Sequence, residues 1–410
     1  MLRGVAILGI LPVNAAYFAY AASLAEDVGY PTGNNVAVAA IIRTFFEYKF
    51  ISLFSLLFGV GIGIQYARAE TRKLPFGAPM VRRLIVLAIF GILHATLLWY
   101  GDIVFIYSLV GLVLCWFAGG GAASRAWAGA IALCLPIALL VLAIAITAVG
   151  SEWFVASSGA NLPDGVGAAA ASGTWDAFFD ALMQNDIDPD FEIAVYAGPS
   201  FARAALLRTI TWIWMLIVSS VYFVPRIAGL CLLGMAAVRS EWALAPNSDV
   251  GRRRYRALAM VVLPVAALLE ASSTAIALQS HAVWAAGTAE LLHYVASLGM
   301  AAGYAAVIAL VVSARPNALW TRPFAAIGRI AFTCYIGQSL VMTTLFYGHG
   351  FALFDSVSRW ELMGIVALVW SAQLILAPLW LTRFRIGPLE WIWRSATHLE
   401  WQPLLRSAHA

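Results

Sequence analysis

The sequence predicts an all-α protein, a polytopic bundle of about ten transmembrane helices. The first observation is the composition, because 62% of the residues are hydrophobic, 11% are charged and the mean hydropathy is +0.85. A water-soluble surface needs more charge than this. The second is that apolar runs of about 20 residues, the length that crosses the hydrocarbon core as a helix, recur along the chain. The third is that these runs are continuous, whereas the strands of a membrane barrel alternate in polarity.

Ten apolar runs are predicted to be spans, with boundaries good to about four residues. They are residues 2–22, 44–66, 84–100, 103–118, 126–149, 212–238, 257–277, 291–313, 327–346 and 362–382. The first is interpreted as a retained span, since no small-residue cleavage site follows it. The third and fourth form a hairpin around Gly101.

The spans divide the chain into two five-span bundles, residues 1–149 and 206–410, separated by the acidic region 150–205. The second bundle ends in a basic tail. Gly59, Gly61 and Gly63 in the second span predict close helix approach. The acids between Asp176 and Glu192 lack the order of a calcium-binding loop, so they are interpreted as a solvated face.

The basic residues predict the orientation. Most of the 25 Lys and Arg residues fall in loops on one side, together with Arg3 and the C-terminal tail, and the opposite loops carry acids. By the positive-inside rule the basic side is cytoplasmic, and both termini lie there. We therefore expect a multi-pass protein of the bacterial inner (cytoplasmic) membrane in contact with membrane lipids. The net charge of +4 reflects this rule and does not indicate nucleic-acid binding.

His94 and Asp102 are the first candidate site residues, because ionisable groups in an apolar run are costly. They lie eight residues apart. If the helix persists they share a face; if it breaks at Gly101, Asp102 can fold back toward the imidazole. A carboxylate that accepts from one ring nitrogen leaves the other as a base. The alternative interpretation is an interhelical hydrogen bond with an interfacial aspartate.

Arg226 and Asn14 are the other polar residues of interest, and each lies beside a proline of its span. Arg226 keeps its proton, so it needs a carboxylate, carbonyls, water or an anionic ligand, and a salt bridge with Glu270 or Glu47 is the favoured interpretation. Asn14, Gln338 and Gln373 are typical of amides that join helices. His281, His293 and His349 are interpreted as interfacial or loop residues, and the sequence predicts no metal site.

Three stretches resemble the YeiB-like bacterial membrane proteins, domain of unknown function family 418. They are LRGVAILGILPVN, then KFISLFSLLFGVGIGIQ with RRLIVLAIFGILHATLLWYGDIVFIYSLVGL, then GRIAFTCYIGQSLVMTTLFYGHGFALFD with WLTRFRIGPLEWIWR. The chain is also distantly similar to transmembrane acyltransferases typified by heparan-alpha-glucosaminide N-acetyltransferase and the acyltransferase-3 proteins. That resemblance carries over Arg3 with Gly4, and Asn14, and implies acyl-CoA as donor. No histidine lies between Asn14 and Glu47, where the acetyltransferase branch has its catalytic one.

Together these features predict an acyltransferase-like enzyme acting on a small-molecule or lipid-linked acceptor. A central cavity would hold His94 as general base, oriented by Asp102, together with Asn14. Arg226 or Arg3 would bind an anionic part of the donor. The rival prediction is a small-molecule transporter in which His94 and Asp102 relay protons, and a third is a membrane scaffold without an open cavity. The sequence carries no signal for the acceptor or for the oligomeric state.

Overall fold

Helices carry almost all of the regular structure in the computed structural model. The structure describes residues 1–26, 35–149, 171, 173–184, 187–240, 248–279, 282–315 and 318–406. Within these ranges the only strand-like pairing is a single bridge between Phe384 and Leu405. The predicted all-α class is confirmed.

The helices of the described residues are numbered here in chain order. They are α1 Leu2–Ala19, α2 Ala22–Glu26, α3 Asn35–Phe45, α4 Lys49–Thr71, α5 Gly77–Leu97, α6 Val104–Leu114, α7 Ala122–Val149, α8 Trp175–Gln184, α9 Pro189–Ala197, α10 Phe201–Arg239, α11 Asp249–Ala257, α12 Leu263–Gln279, α13 Val283–Ala314, α14 Thr321–Arg329, α15 Ala331–Phe346, α16 Arg359–Arg383 and α17 Pro388–His398. A π-helical turn, Leu258–Val262, joins α11 to α12.

Each of the ten predicted spans falls on a helix of the structure. In the described part of the chain, eight helical segments are long and apolar enough to cross a membrane. The ninth predicted span is the pair α14 and α15, which bends by 87°. The fourth is α6 with its short extension to Phe117, an apolar helix below spanning length. The prediction of a multi-pass helical bundle is confirmed, and α6 is the span that the structure shortens.

The helix α1 lies at the centre of the bundle, where it packs against α4, α14, α15 and α16. Its N-terminal turn lies directly on α14, because a Cβ on Gly4 would collide with the carbonyl oxygen of Phe324. A second close contact joins α4 and α10. There a Cβ on Gly59 would meet the backbone of Cys231, and one on Gly234 would meet the carbonyl of Leu56. Small residues thus allow these helices to approach, as predicted for Gly59.

The N-terminal turn of α1 and the helix α17 lie at the same end of the bundle, since Gly4 packs against Gly328 at the end of α14. The indole nitrogen of Trp393 in α17 donates to the carbonyl oxygen of Arg83 at the start of α5, at 2.8 Å. The Arg329 guanidinium donates to the carbonyl of Arg385 at 2.9 Å. We call this end, which holds Arg3, Arg83 and Arg329, the basic end. The opposite end, at which α5 and α6 turn at Gly101, is called the acidic end.

The described part of the acidic region contains two short helices, α8 and α9. Asp188 begins α9, because its Oδ1 accepts from the backbone N–H of Phe191 at 2.7 Å. Phe178 and Phe191 stack on each other and are fully buried. The region therefore covers part of the bundle through its aromatic residues. Residues 150–170 of the predicted region lie outside the described residues.

Candidate active site

His94 is hydrogen-bonded through both ring nitrogens. Its Nδ1 lies 2.7 Å from Asp102 Oδ2, and its Nε2 lies 2.8 Å from Ser339 Oγ. All three side chains are at least 97% buried. A carboxylate that only accepts takes its hydrogen bond from an N–H at Nδ1, and this tautomer has the Nε2 lone pair facing the serine hydroxyl. Serine, histidine and aspartate are linked in the order that nucleophilic catalysis uses.

The turn between α5 and α6 positions Asp102. The helix α5 ends at Leu97 and α6 begins at Val104, so the chain reverses and brings the carboxylate back to the imidazole. Asp102 Oδ1 accepts from the backbone N–H of Phe105 at 2.7 Å, which holds the first turn of α6. Of the two alternatives that the spacing allowed, the break at Gly101 is confirmed. Both carboxylate oxygens are occupied, and the side chain has a fixed orientation.

Ser339 comes from α15, 245 residues away from His94 in sequence. The sequence analysis missed it, although its neighbour Gln338 was singled out. Gln338 donates to Gln373 at 2.9 Å, so the prediction that these amides join helices is confirmed. Two adjacent polar residues in the apolar run of α15 were the available signal, because one points to the neighbouring helix and the other to the histidine.

A basic cavity of about 130 Å³ lies on one side of this group. Three arginines, one carboxylate and an amide contribute to its wall together with aromatic rings. These residues are Arg3, Gln65, Arg83, Arg329, Glu390, Phe54, Phe58, Tyr107, Phe332, Tyr335 and Trp393. The Arg83 guanidinium lies 4.1 Å from the centre of the Trp393 ring and donates to Gln65 at 3.3 Å. A cavity near 150 Å³ holds a benzene-sized molecule. This cavity therefore fits a short apolar group with an anionic group at its basic rim.

An acidic cavity of about 410 Å³ lies on the other side. Its wall carries three carboxylates and an amide, with a larger number of aromatic rings. These residues are Asn14, Tyr17, Glu47, Tyr48, Trp99, Tyr100, Asp102, Trp212, Tyr222 and Glu290. A smaller cavity of about 280 Å³ shares Glu47 and Glu290 with it and adds Arg43. The acidic cavity is large enough for a small polar molecule.

His94 lies between the two cavities. Its ring centre is 5.3 Å from that of Tyr335, which lines the basic cavity, and 6.4 Å from that of Trp99, which lines the acidic cavity. Ile103, next to Asp102, lines both cavities. The structure therefore divides the predicted central cavity into two. Of the Ser339–His94–Asp102 group, Asp102 lines the acidic cavity, whereas His94 and Ser339 line neither of the two and are separated from the basic one by Tyr335. Arg3 belongs to the basic cavity and Asn14 to the acidic one.

Arg226 does not lie on the wall of either cavity, and its surroundings differ from the prediction. The guanidinium donates to the hydroxyls of Ser52 and Ser297, each at 2.8 Å, and lies over the rings of Tyr48 and Tyr294. Among the described residues it forms no ion pair, so the expected salt bridge with Glu270 or Glu47 is wrong. Hydroxyls and aromatic faces stabilise this buried cation instead.

Glu270 pairs with Lys49, a residue that the sequence analysis did not consider. Lys49 Nζ lies 3.0 Å from Glu270 Oε1, and both side chains are fully buried. His293 Nδ1 contacts the same oxygen at 2.5 Å. The interpretation of His293 as an interfacial residue is therefore wrong. His349 follows α15 in a loop beside Phe201, as expected, and His281 lies outside the described residues.

The fold and site define a multi-pass α-helical membrane protein with a buried Ser–His–Asp group. Residues 237–400 match the family model "Protein of unknown function (DUF418)". The chain is 28% identical to "Uncharacterized protein YxaH" of Bacillus subtilis (strain 168), an alignment that covers 99% of this chain and 95% of that protein. It is 29% identical to "Uncharacterized protein YeiB" of Escherichia coli (strain K12), covering 96% and 94%.

These matches confirm the predicted YeiB-like, family DUF418 resemblance, which extends over nearly the whole chain. They do not test the acyltransferase resemblance, which stays a prediction. No solved structure matches the chain.

Proposed function

We propose that the protein is an acyl-CoA-dependent transmembrane acyltransferase of the bacterial inner membrane, with its basic end in the cytoplasm. The observation that carries this proposal is the hydrogen-bonded Ser339–His94–Asp102 group, whose Asp102 lines the acidic cavity and whose His94 packs against Tyr335 of the basic cavity. Membrane-buried ionisable groups are functional candidates. This one combines a nucleophile, a base and a group that orients the base.

The first half-reaction would acylate Ser339. The histidine nitrogen that Asp102 leaves as a base faces Ser339, so the hydroxyl that His94 activates is this one. Ser339 Oγ attacks the thioester carbonyl while His94 Nε2 takes its proton. The C–S bond breaks, and the thiolate leaves as the free thiol with the proton from His94. The products are an ester on Ser339 and coenzyme A.

The second half-reaction would use the acidic cavity. An acceptor hydroxyl or amine attacks the Ser339 ester while His94 takes its proton. The ester C–O bond breaks, and His94 returns the proton to Ser339 Oγ. Asp102 stabilises the protonated imidazole in both steps. Asn14 lies on the wall of this cavity, where its amide would orient a small-molecule or lipid-linked acceptor.

Arg3, Arg83 and Arg329 would hold the anionic part of the donor at the rim of the basic cavity. The volume of about 130 Å³ holds a short acyl group with the adjoining thioester, and the nucleotide part of coenzyme A would remain outside. To reach Ser339 the acyl group must pass Tyr335, one helical turn earlier. This assignment replaces Arg226 as donor ligand, since the Arg226 guanidinium already donates to the hydroxyls of Ser52 and Ser297.

The test is release of coenzyme A by the purified full-length protein in detergent or nanodiscs, with acetyl-CoA and longer acyl-CoAs as donors. We expect release in wild type, preference for short chains, and loss in His94→Ala. Arg3→Gln and Arg83→Gln should raise KM for the donor and leave kcat nearly unchanged. Thr96→Ala, an exposed hydroxyl two residues from His94, is the matched control. If wild type released no coenzyme A and no acyl-CoA raised its melting temperature, the proposal would fail.

A second candidate function is small-molecule transport. It is favoured by the presence of one cavity toward each end of the bundle, with Ile103 on both walls. The activity of the Ser339→Ala variant distinguishes the two functions. A transporter in which Asp102 and His94 move protons keeps substrate uptake into vesicles in Ser339→Ala, whereas the acyltransferase loses its turnover.

A further inference from the structure

Arg208 is a fully buried cation at the acidic end of the bundle. It lies in the second turn of α10, a helix whose first turn is held by the Ser200 side chain. Its side chain packs between α10 and the residue that follows α15, Tyr347. Basic residues favour the other end of this protein, so a local interaction must hold Arg208 here.

None of the three guanidinium nitrogens of Arg208 has a hydrogen-bond partner among the described residues. Its contacts are the faces of two rings, Phe201 at 5.2 Å and Tyr347 at 5.5 Å from the guanidinium carbon. The Tyr347 hydroxyl is also buried without a partner. Attraction to two rings is weaker than the cost of removing a guanidinium from water. The buried Arg208 guanidinium therefore requires a hydrogen-bond acceptor that the described residues do not supply.

Glu192 in α9, a carboxylate whose charge acts on Tyr347, is engaged elsewhere. Its Oε2 accepts from the backbone N–H of Ala22 at 2.8 Å, and in the described chain it forms no ion pair with Arg208. Burial raises the pKa of the Glu192 carboxyl above its ordinary value, which further weakens it as a counter-charge. His349, close to Tyr347, adds no negative charge.

The acidic cavity adjoins this cluster. Trp212 lies four residues after Arg208, on the same face of α10, and lines the cavity. Its indole N–H is a further buried donor without a hydrogen-bond partner. Tyr100, another residue of the cavity wall, stacks on Tyr196, which stacks on Tyr347 with 4.9 Å between ring centres. Three kinds of donor, guanidinium, phenol and indole, thus lie together beside the cavity.

We propose that Arg208, Tyr347 and Trp212 bind an oxyanionic group, a phosphate or a carboxylate, at the acidic end of the molecule. Such a group offers acceptors, which matches a cluster whose unpartnered guanidinium, indole and phenol groups can all donate. The group could belong to a free solute or to a lipid headgroup, since both present the same oxygens. The proposal goes beyond the acyltransferase function and does not depend on it.

The experiment measures the melting temperature of the full-length protein in neutral nanodiscs. Sodium phosphate and sodium acetate are compared with sodium chloride at matched ionic strength, and anionic phosphatidylglycerol nanodiscs are compared with neutral phosphatidylcholine ones. The variants are Arg208→Met, Arg208→Lys and Tyr347→Phe, the last of which keeps the ring and removes one donor. Arg203→Met is the matched control, because the Arg203 guanidinium donates to the carbonyls of Ala171 and Gly173.

We expect an oxyanion to raise the melting temperature of wild type above the chloride value. The shift should shrink in Tyr347→Phe and disappear in Arg208→Met, and it should persist in Arg203→Met. A shift with phosphate or acetate identifies a soluble ligand, and a shift only with phosphatidylglycerol identifies a lipid. If neither the salts nor the lipid raise the wild-type value, or if Arg208→Met keeps the full shift, the proposal is overturned. If Arg208→Met does not fold, the shifts in melting temperature of Tyr347→Phe and Arg208→Lys test the proposal, and a full wild-type shift in both would overturn it.

Discussion

Two buried histidines, His94 and His293, each pair with a carboxylate, but their second ring nitrogens differ. His94 Nε2 is 2.8 Å from the Ser339 hydroxyl, and the imidazole packs between Tyr335 of the basic cavity and Trp99 of the acidic one. His293 Nε2 has no hydrogen-bond partner in the described chain, and its nearest carboxylate is Glu47 at 3.8 Å. The carboxylate of His293, Glu270, also binds Lys49.

The difference shows that a histidine–carboxylate pair is not by itself a catalytic site. In the Ser339–His94–Asp102 group, the second ring nitrogen of the imidazole faces a nucleophile, so the imidazole can activate Ser339 by taking its proton. The Lys49–Glu270–His293 group has a cation instead, and its contacts compensate the cost of buried charges. We therefore expect substitutions in the first group to change activity and substitutions in the second to change stability.

The largest expected effect is that of Ser339→Ala. Removing the nucleophile should reduce acyl transfer to the background rate while the melting temperature changes little, because the side chain is small. Ser339→Cys should keep partial activity through its thiol. The rate of coenzyme A release measures both. Ser371→Ala, on the exposed side of α16, is the control and should behave like wild type. Full activity in Ser339→Ala would contradict a nucleophilic role.

Asp102→Asn should come next. An amide can no longer fix the N–H at Nδ1 by accepting it as a carboxylate does, so we expect kcat to fall about 10²–10⁴-fold with little change in KM. The same substitution in the other group, Glu270→Gln, should leave kcat per folded molecule unchanged. Steady-state kinetics on both variants test the comparison directly. Equal losses of kcat in the two would remove the distinction between the groups.

Lys49→Met should act on stability. It leaves the Glu270 carboxylate buried without its cation, and breaking a buried pair costs about 3–5 kcal/mol. The double variant Lys49→Met with Glu270→Gln should recover part of this loss, because no unpaired charge remains. Unfolding of the two variants in detergent measures the difference. A Lys49→Met protein that is as stable as wild type but has no acyl-transfer activity would instead show that Lys49 takes part in the reaction.

The smallest expected effect concerns Glu390, which supports the helix of Ser339 from α17. Its carboxylate accepts from the backbone N–H groups of Phe332 and Thr333, and burial raises its pKa. The folded state therefore binds the proton more tightly than the unfolded state does. Stability contributed in this way is present below the unfolded pKa and is lost as the pH rises through the folded one.

The pH dependence of unfolding checks this sign. Wild type should lose stability from about pH 4.5 upward, since 4.5 is the ordinary carboxyl value, and Glu390→Gln should lose less over the same range. An identical slope in the two proteins would show that Glu390 does not titrate differently on folding.

The sequence predicted the local parts of this architecture and missed the distant ones. The helices of spanning length follow from apolar length alone, whereas α6 is shorter than the predicted span. The pairing of His94 with Asp102 could be predicted from the sequence because only a turn separates the two residues. Ser339 and Lys49 were missed because their partners lie more than two hundred residues away, and no spacing rule joins residues of separate helices. Arg226 was predicted to be buried, but the hydroxyls that stabilise it lie on other helices.

One error has a simple geometric cause. The predicted span began at residue 291, which would put His293 at the membrane surface. The helix α13 begins at Val283, so His293 is about three turns inside it. The charge of Glu290 lowers the local hydropathy, so the predicted span began after this residue and missed the first part of the helix. Glu290 is stabilised there because its carboxylate accepts from the Tyr222 hydroxyl and lies 3.6 Å from the Arg43 guanidinium.

The measurement that tests the central claim most directly is peptide mapping of the protein after rapid quenching with radiolabelled acetyl-CoA in the absence of acceptor. The account predicts an acyl ester on Ser339 in wild type, its accumulation until an acceptor is added, and none in Ser339→Ala or His94→Ala. Turnover of acetyl-CoA without label on Ser339, or label on another residue that persists in Ser339→Ala, would contradict it.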